Sequence, residues 1–228
     1  NKWQNSEIEG IDIMLAIDVS TSMLAEDLKP NRLEAAKDVA AEFINGRPND
    51  NIGITLFAGE TFTQCPLTVD HAVLLDMIHN IKCGLITDGT AVGMGIANAV
   101  TRLKDSKAKS KVIILLTDGT NNKGDISPMT AAEIAKSFGI RVYTIGVGTN
   151  GMAPYPYPVG NTVQYVSMPV EIDEKTLTEI AGTTDGNYFR ATSNSKLKEV
   201  YEEIDKLEKT KLNVKEYSKR DEEYHWFA

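Results

Sequence analysis

The sequence has few of the residues on which many metal sites and disulfide-stabilised folds depend. Its 228 residues include two cysteines and three histidines. Cys65 and Cys83 are too few for a disulfide framework, so we expect two free or partly buried thiols, with a single disulfide as the alternative. The histidines are not spaced in i, i+4 pairs, and we therefore expect no zinc site.

The sequence also lacks a long hydrophobic run and an excess of basic residues. Its longest apolar run, residues 112–116, has the length of a strand and is far below the roughly 18 residues of a membrane helix. The formal net charge is -8. An acidic chain repels phosphate backbones, so we expect no nucleic-acid partner. The chain begins at the polar Asn1 without a signal peptide or a methionine, and we expect an excised part of a longer protein.

Short apolar runs that alternate with amphipathic segments predict the architecture. An α/β fold follows, in which a mostly parallel central sheet carries helices on both faces in a three-layer, Rossmann-like arrangement. Glycine and proline positions, together with the helical period, set the predicted boundaries. The predicted strands are 11–17, 51–58, 61–67, 111–117, 140–147 and 187–190, and the predicted helices are 32–45, 70–81, 91–104, 128–138, 173–181 and 195–209.

Two segments show no clear helical or strand pattern. Residues 148–169 are rich in glycine, proline and tyrosine, and we predict a long surface loop there. The chain from Lys211 is polar and then aromatic, which predicts a linker or a further strand. The expected division is therefore a lead-in over 1–9, one domain over 10–209 and a C-terminal tail or linker over 210–228 that leads towards a membrane helix outside this sequence.

Three clusters of acidic and hydroxyl residues fall at one predicted edge of the sheet. Asp18, Ser20 and Ser22 follow the first strand, Thr90 precedes a helix, and Asp118 follows the strand 111–117. Sites in parallel sheets form at the carboxyl ends of strands, and oxygen ligands suit Mg²⁺, Mn²⁺ or Ca²⁺. Each cluster alone is typical of turns and helix caps. Together they predict a divalent-metal site.

Three enzyme classes agree less well with these residues. A phosphoryl-transfer enzyme with Asp18 as nucleophile is the alternative, although Ser20 stands where that class needs a second aspartate. A nucleotide-binding Rossmann enzyme would need a helix after its G-x-G-x-x-G pattern. The pattern occurs at Gly146, Gly148 and Gly151, but alternating prolines follow it and cannot begin a helix. A hydrolase motif of the form G-x-S-x-G is absent from the sequence. We therefore predict a binding module and not an enzyme; an α/β scaffold without a functional metal site is the remaining interpretation.

The five residues resemble a known site. The D-x-S-x-S pattern at Asp18, Ser20 and Ser22, with Thr90 and Asp118, resembles the metal-ion-dependent adhesion site of von Willebrand factor A domains, and the likeness extends over 10–209. It implies that the two serines bind the metal directly and that Thr90 does so when a ligand is engaged. The aspartates would act through water and hydrogen bonds. The metal would be Mg²⁺, and an acidic residue of a partner protein would complete its shell.

Longer stretches resemble one bacterial group of these domains, the Bat aerotolerance proteins. The stretches include IDIMLAIDVSTSMLAEDLKPNRLEAAK and FAGETFTQCPLTVDHAVLL. The resemblance implies membrane helices on both sides of the domain and a location at the bacterial inner membrane, with the domain outside the bilayer and facing the periplasm. It also implies other Bat proteins and a MoxR-type ATPase as partners.

Overall fold

The computed structural model describes the backbone of residues 10–225 and the side chains of residues 10–213. The predicted lead-in over 1–9 lies outside the described residues. The strands, in chain order, are β1 (Asp12–Asp18), β2 (Asn51–Phe57), β3 (Thr61–Thr68), β4 (Lys111–Thr117), β5 (Ile140–Val147), β6 (Met152–Val159), β7 (Thr162–Pro169) and β8 (Tyr188–Ala191). The helices are α1 (Arg32–Asn45), α2 (His71–His79), α3 (Val92–Leu103), α4 (Pro128–Ser137), α5 (Glu174–Thr183) and α6 (Asn194–His225).

Six strands form the central sheet, in the order β3-β2-β1-β4-β5-β8. All neighbours in this sheet are parallel except β3, which runs antiparallel to β2. Helices α1, α2 and α6 pack on one face, and α3, α4 and α5 pack on the other. The predicted three-layer α/β architecture is therefore confirmed.

Local sequence signals place the helix ends as expected. The Asn31 side chain accepts a hydrogen bond from the Glu34 backbone at 2.9 Å, which caps the start of α1. Ser127 caps α4 in the same way, and proline occupies its first turn. Gly139 has a φ of 66°, a left-handed conformation that ends α4 and leads into β5. Cys65 and Cys83 are both free thiols, as expected.

The strand order places a crevice at the carboxyl ends of β1 and β4. The chain moves from β1 to β2 on one side of the sheet, and from β4 to β5 on the other. Adjacent strands whose connections leave in opposite directions open a gap between the helices that follow them. The residues after β1 and β4 therefore share one site-forming edge.

The prediction of a surface loop over 148–169 is wrong. These residues form a hairpin, in which β6 pairs antiparallel with β7. The strand β6 was not predicted because proline weakens a strand pattern in the sequence. Proline is nevertheless tolerated at the edge of a sheet, where β6 lies. Gly160 begins the two-residue turn with a φ of 60°, the position that a type II′ turn gives to glycine.

The last helix is longer than predicted. Helix α6 continues through residue 209 and ends at His225, so residues 211–225 are helical and do not form an irregular tail or a strand. Two contacts hold the helix against the domain on either side of residue 209. Leu212 packs against the core, and Glu208 is 1% exposed. The Glu208 carboxylate accepts hydrogen bonds from the Arg141 guanidinium at 2.7 Å and from Ser110 Oγ at 3.2 Å.

Within residues 10–225, no helix combines the length and the apolar composition that crossing a bilayer requires.

We expect Glu208→Ala to lower the free energy of unfolding by about 2 kcal/mol, because it leaves Arg141 and Ser110 without their buried acceptor. Urea unfolding followed by circular dichroism measures the change. Glu203→Ala, on the exposed side of the same helix, should stay within about 0.5 kcal/mol of the parent protein. Equal effects of the two substitutions would show that the buried contact does not anchor α6.

Candidate metal centre

Asp18, the last residue of β1, joins the ends of β1 and β4. Its side chain is completely buried. One carboxylate oxygen accepts the Ser20 backbone N–H at 2.9 Å, and the other accepts the Thr117 hydroxyl at 2.7 Å. Because Thr117 ends β4, the carboxylate fixes the loop after β1 against the neighbouring strand. Thr117 was not among the predicted site residues, and the structure shows its role.

The two serines lie side by side in the loop that follows. Ser20 Oγ and Ser22 Oγ are 2.9 Å apart. Ser22 Oγ also donates to Asp118 Oδ1 at 2.8 Å. The loop takes this shape because residues 21–24 form a short 3-10 turn, in which the Met23 N–H donates to the Ser20 carbonyl at 3.0 Å. Asp18, Ser20, Ser22 and Asp118 are thus joined in one hydrogen-bonded constellation, as the sequence predicted.

Thr90 reaches the same edge from the loop before α3. It is 5% exposed, and its N–H donates to Asn122 Oδ1 at 2.9 Å. Its carbonyl accepts the Asn122 N–H, also at 2.9 Å. A Cβ placed on Gly119 would lie 3.5 Å from Thr90 Oγ1, so this hydroxyl faces the residue directly after Asp118. The loop after β4 therefore positions Thr90 beside the constellation.

Arg32, in the first turn of α1, is a site residue that sequence reasoning missed. It is 4% exposed and its Nη1 lies 2.8 Å from Asp118 Oδ2. Its Nε and Nη2 each donate to the Asp27 carboxylate at 2.7 Å. The Thr149 N–H also donates to Asp27, at 2.8 Å. One signal was present: Arg32 continues the buried face formed by positions 35, 36 and 39 of α1.

A second missed contact fastens the rim of the site. The Asp88 carboxylate accepts the Thr21 N–H at 3.0 Å and the Thr21 hydroxyl at 2.8 Å. This pair ties the loop that carries Thr90 to the loop that carries both serines. Asp88 lies two residues before Thr90 in the sequence, but no sequence pattern indicated its partner, which is 67 residues away.

The charge balance of the centre favours a cation. Burial, and then the charge of Asp118, raise the pKa of Asp18 to about 7. Burial also raises the pKa of Asp118, while Arg32 acts in the opposite direction. Arg32 is paired with Asp27 and with Asp118, whereas the described hydrogen bonds to Asp18 come from the uncharged Ser20 and Thr117. A second positive charge beside Asp18 would therefore lower the cost of burying the carboxylates.

The donor geometry fits a small hard ion. In an octahedron with metal–oxygen distances near 2.0–2.1 Å, adjacent oxygens lie about 2.8–3.0 Å apart. The separation between Ser20 Oγ and Ser22 Oγ is 2.9 Å. Because Ser22 donates its one proton to Asp118, Ser20 is the donor to Ser22, and each hydroxyl oxygen keeps a lone pair available to a cation. Across the residues that the structure describes, no group of three or more histidine, cysteine, aspartate or glutamate side chains is placed to hold a metal. The donor set is therefore one of hydroxyls and two aspartates, which suits magnesium-like ions.

Comparison with known proteins agrees with this geometry. The sequence model of the von Willebrand factor type A domain matches residues 12–203. The chain belongs to the von Willebrand factor type A family. Its fold is therefore that of the family, and this includes the sheet order, the helix layers and the edge that carries Asp18 and Asp118.

Two solved structures are similar to this von Willebrand factor type A domain. BatB from Bacteroides thetaiotaomicron, a conserved hypothetical protein, is 34% identical with a TM-score of 0.76, and the match covers 88% of this chain and 100% of that one. An aerotolerance-related membrane protein from Bacteroides fragilis is 32% identical, also with a TM-score of 0.76, over 86% of this chain and 98% of that one.

The curated relatives are longer than this chain. An uncharacterized protein of Borreliella burgdorferi is 29% identical over 208 residues, which are 90% of this chain and 61% of that protein. The chain thus spans about three fifths of the length of that relative.

We expect the metal-free protein to lose stability relative to Asp18→Asn as the pH rises from about 4 to about 7. The pKa of Asp18 is 3.8 without the fold and about 7 within it. Between these values the folded state holds more protons than the unfolded state, so the free energy of unfolding falls with rising pH, by at most about 1.4 kcal/mol per pH unit. Asparagine releases no proton, so it isolates this effect.

Urea unfolding of both proteins in EDTA, repeated across this pH range, measures the difference. The two stability curves should diverge as the pH increases. Parallel curves would mean that Asp18 is ionised in the metal-free fold throughout the range.

Proposed function

We propose that this chain is a protein-binding module that holds a divalent cation, Mg²⁺ in the first instance, and binds an acidic residue of a partner protein there. Mn²⁺ and Ca²⁺ are the alternatives. One observation supports the proposal above the others. Two serine hydroxyls, 2.9 Å apart, are fixed between two buried aspartates at the crevice of the sheet.

Each residue has a distinct part in the proposal. Ser20 and Ser22 contribute hydroxyl oxygens directly, and Thr90 contributes its hydroxyl when the partner is engaged. Asp18 and Asp118 orient the loop and the serines through the hydrogen bonds described above. Because the hydroxyls are neutral, a cation bound there would supply an electrophilic centre for an incoming carboxylate. Arg32 offsets the negative charge of Asp118, which lessens repulsion of that carboxylate.

The surroundings of Asp18 favour binding over phosphoryl transfer. Both of its carboxylate oxygens accept hydrogen bonds from within the fold, and the residue is 0% exposed. A nucleophile must reach its substrate, which this side chain does not do. The glycines after β5 lead into the hairpin and not into a helix, so no dinucleotide-binding turn follows them. We therefore propose a non-enzymatic role.

We propose a Bat-type role in aerotolerance, which the similarity to the two Bacteroides proteins supports. Within that group the sequence resembles BatA, while one solved relative is BatB; which member this chain represents stays a prediction. We propose a membrane-anchored bacterial protein with this domain on the periplasmic side of the inner membrane. The proposed partners are other Bat proteins and a MoxR-type ATPase.

Isothermal titration of the EDTA-treated protein with Mg²⁺, Mn²⁺ and Ca²⁺ tests the metal site. We expect one saturable site in the parent protein and none in Asp18→Ala or Asp118→Ala. The fold should survive in Asp118→Ala, because Arg32 keeps its two hydrogen bonds to Asp27. Ser20→Ala removes a direct ligand and should weaken binding by at least about tenfold.

The control is Asp125→Ala, which removes an exposed carboxylate from the loop after β4. It should bind the metal as the parent protein does. Wild-type affinity in Asp18→Ala, with an unchanged circular dichroism spectrum, would overturn the proposed site.

A further inference from the structure

The two outer edges of the hairpin β6–β7 differ in their capacity for hydrogen bonding. Strand β6 contains Pro154, Pro156 and Pro158 at alternate positions. These lie opposite three residues of β7, namely Ser167, Tyr165 and Val163. Proline has no N–H, so a second strand could not form a regular ladder on any edge to which these residues point.

The hairpin geometry shows which groups point outward. Val159 and Thr162 flank the two-residue turn and therefore form a hydrogen-bonded pair, after which paired and unpaired positions alternate. The proline pairs fall at the positions that do not bond across the hairpin. The Pro154 carbonyl confirms the direction, because it accepts the Glu26 N–H from outside the hairpin at 2.8 Å.

It follows that β7 presents a complete and open edge. The N–H and C=O groups of Val163, Tyr165 and Ser167 point away from β6. Among the residues that the structure describes, none of these backbone groups has a hydrogen-bond partner, and all eight residues of β7 are exposed. Natural edge strands are usually protected by charge, proline or a bulge. Residues 149–170 contain no charged side chain, although 25% of the chain is charged.

The hairpin is fastened to the metal centre. The Thr149 N–H donates to Asp27, which also holds Arg32, and Arg32 holds Asp118. Tyr165 Oη approaches the Glu26 carboxylate at 3.4 Å. Glu26 and Asp27 follow the turn that carries the two serines. A protein bound at the metal centre therefore has the hairpin as a neighbouring surface.

A second copy of this chain is a less suitable occupant. An edge of eight residues is about 27 Å long and one strand wide, which falls short of the roughly 1,200 Å² that a stable interface buries. Two copies with a net charge of -8 each would also repel one another. A segment that belongs to a partner already held at the metal avoids both difficulties, since two weak contacts in one protein reinforce each other.

We propose that the open edge of β7 receives an extended, uncharged segment of the partner protein, which adds a third strand to the hairpin. The assignment of this segment to the same partner rests on the proposed function. Backbone groups of Val163, Tyr165 and Ser167 supply the ladder. Exposed apolar side chains lie on both faces of β7, among them Tyr165 and Met168, and they favour apolar or β-branched residues in the segment.

The test uses the ¹⁵N-labelled protein and an eight-residue peptide of alternating threonine and valine with blocked ends. In NMR titration the peptide should shift the Tyr165 amide, with and without Mg²⁺. The double variant Val163→Pro, Ser167→Pro should weaken this binding by at least about tenfold, because it closes the edge as β6 is closed. The matched control, Val163→Thr with Ser167→Thr, keeps both N–H groups and should bind within about twofold of the parent protein.

Cross-strand contacts between Tyr155 and Val166 in the NMR spectra verify that the proline variant keeps its hairpin. No peptide-induced shift in the parent protein, or equal binding by the proline variant, would overturn the proposal. Self-association that the prolines abolish would also overturn it, by assigning the edge to a second copy. Because the peptide has no carboxylate, its binding is independent of the metal, and failure of the metal titration is a separate result.

Discussion

The buried carboxylates at the carboxyl end of the sheet set the main constraint on this molecule. Asp18 and Asp118 are 0% and 4% exposed, at a place where ionised groups are costly unless they are compensated. The chain meets this cost with donors from several elements: the Ser20 backbone, the Thr117 and Ser22 hydroxyls and the Arg32 guanidinium. Arg32 is the one positively charged group among these donors, so it balances the charge of one carboxylate and not of both. A bound cation would balance the other.

The hydrogen bonds and ion pairs that stabilise these carboxylates also connect distant parts of the chain. Arg32 belongs to α1, Asp118 follows β4, and Thr149 leads into the hairpin, yet one network joins them. The metal centre and the hairpin therefore share a support. We propose that a partner protein makes two contacts there. Its carboxylate binds the electrophilic ion, and its backbone pairs with the open strand edge.

Much of this was predictable from sequence because it follows from local patterns. Apolar runs gave the parallel strands, Asn31 and Ser127 marked helix starts, and the D-x-S-x-S spacing placed three site residues in one loop. Arg32 and the Asp88–Thr21 pair were not predictable in the same way, because their partners are distant in sequence and a charged residue is ordinarily exposed. The hairpin was missed because proline, which usually interrupts strands, here occupies only positions that do not bond across it. The prediction ended the last helix at residue 209, before a polar stretch, whereas α6 continues to His225 and Leu212 packs against the core.

Anomalous scattering from a crystal of the protein soaked in Mn²⁺ is the most direct test of the metal centre, because it locates the ion without relying on affinity. We expect a single strong peak within coordination distance of Ser20 Oγ and Ser22 Oγ, close to Thr90 and not displacing Arg32 from Asp118. A peak bound elsewhere, or none beside the two serines when other manganese sites are occupied, would contradict the account.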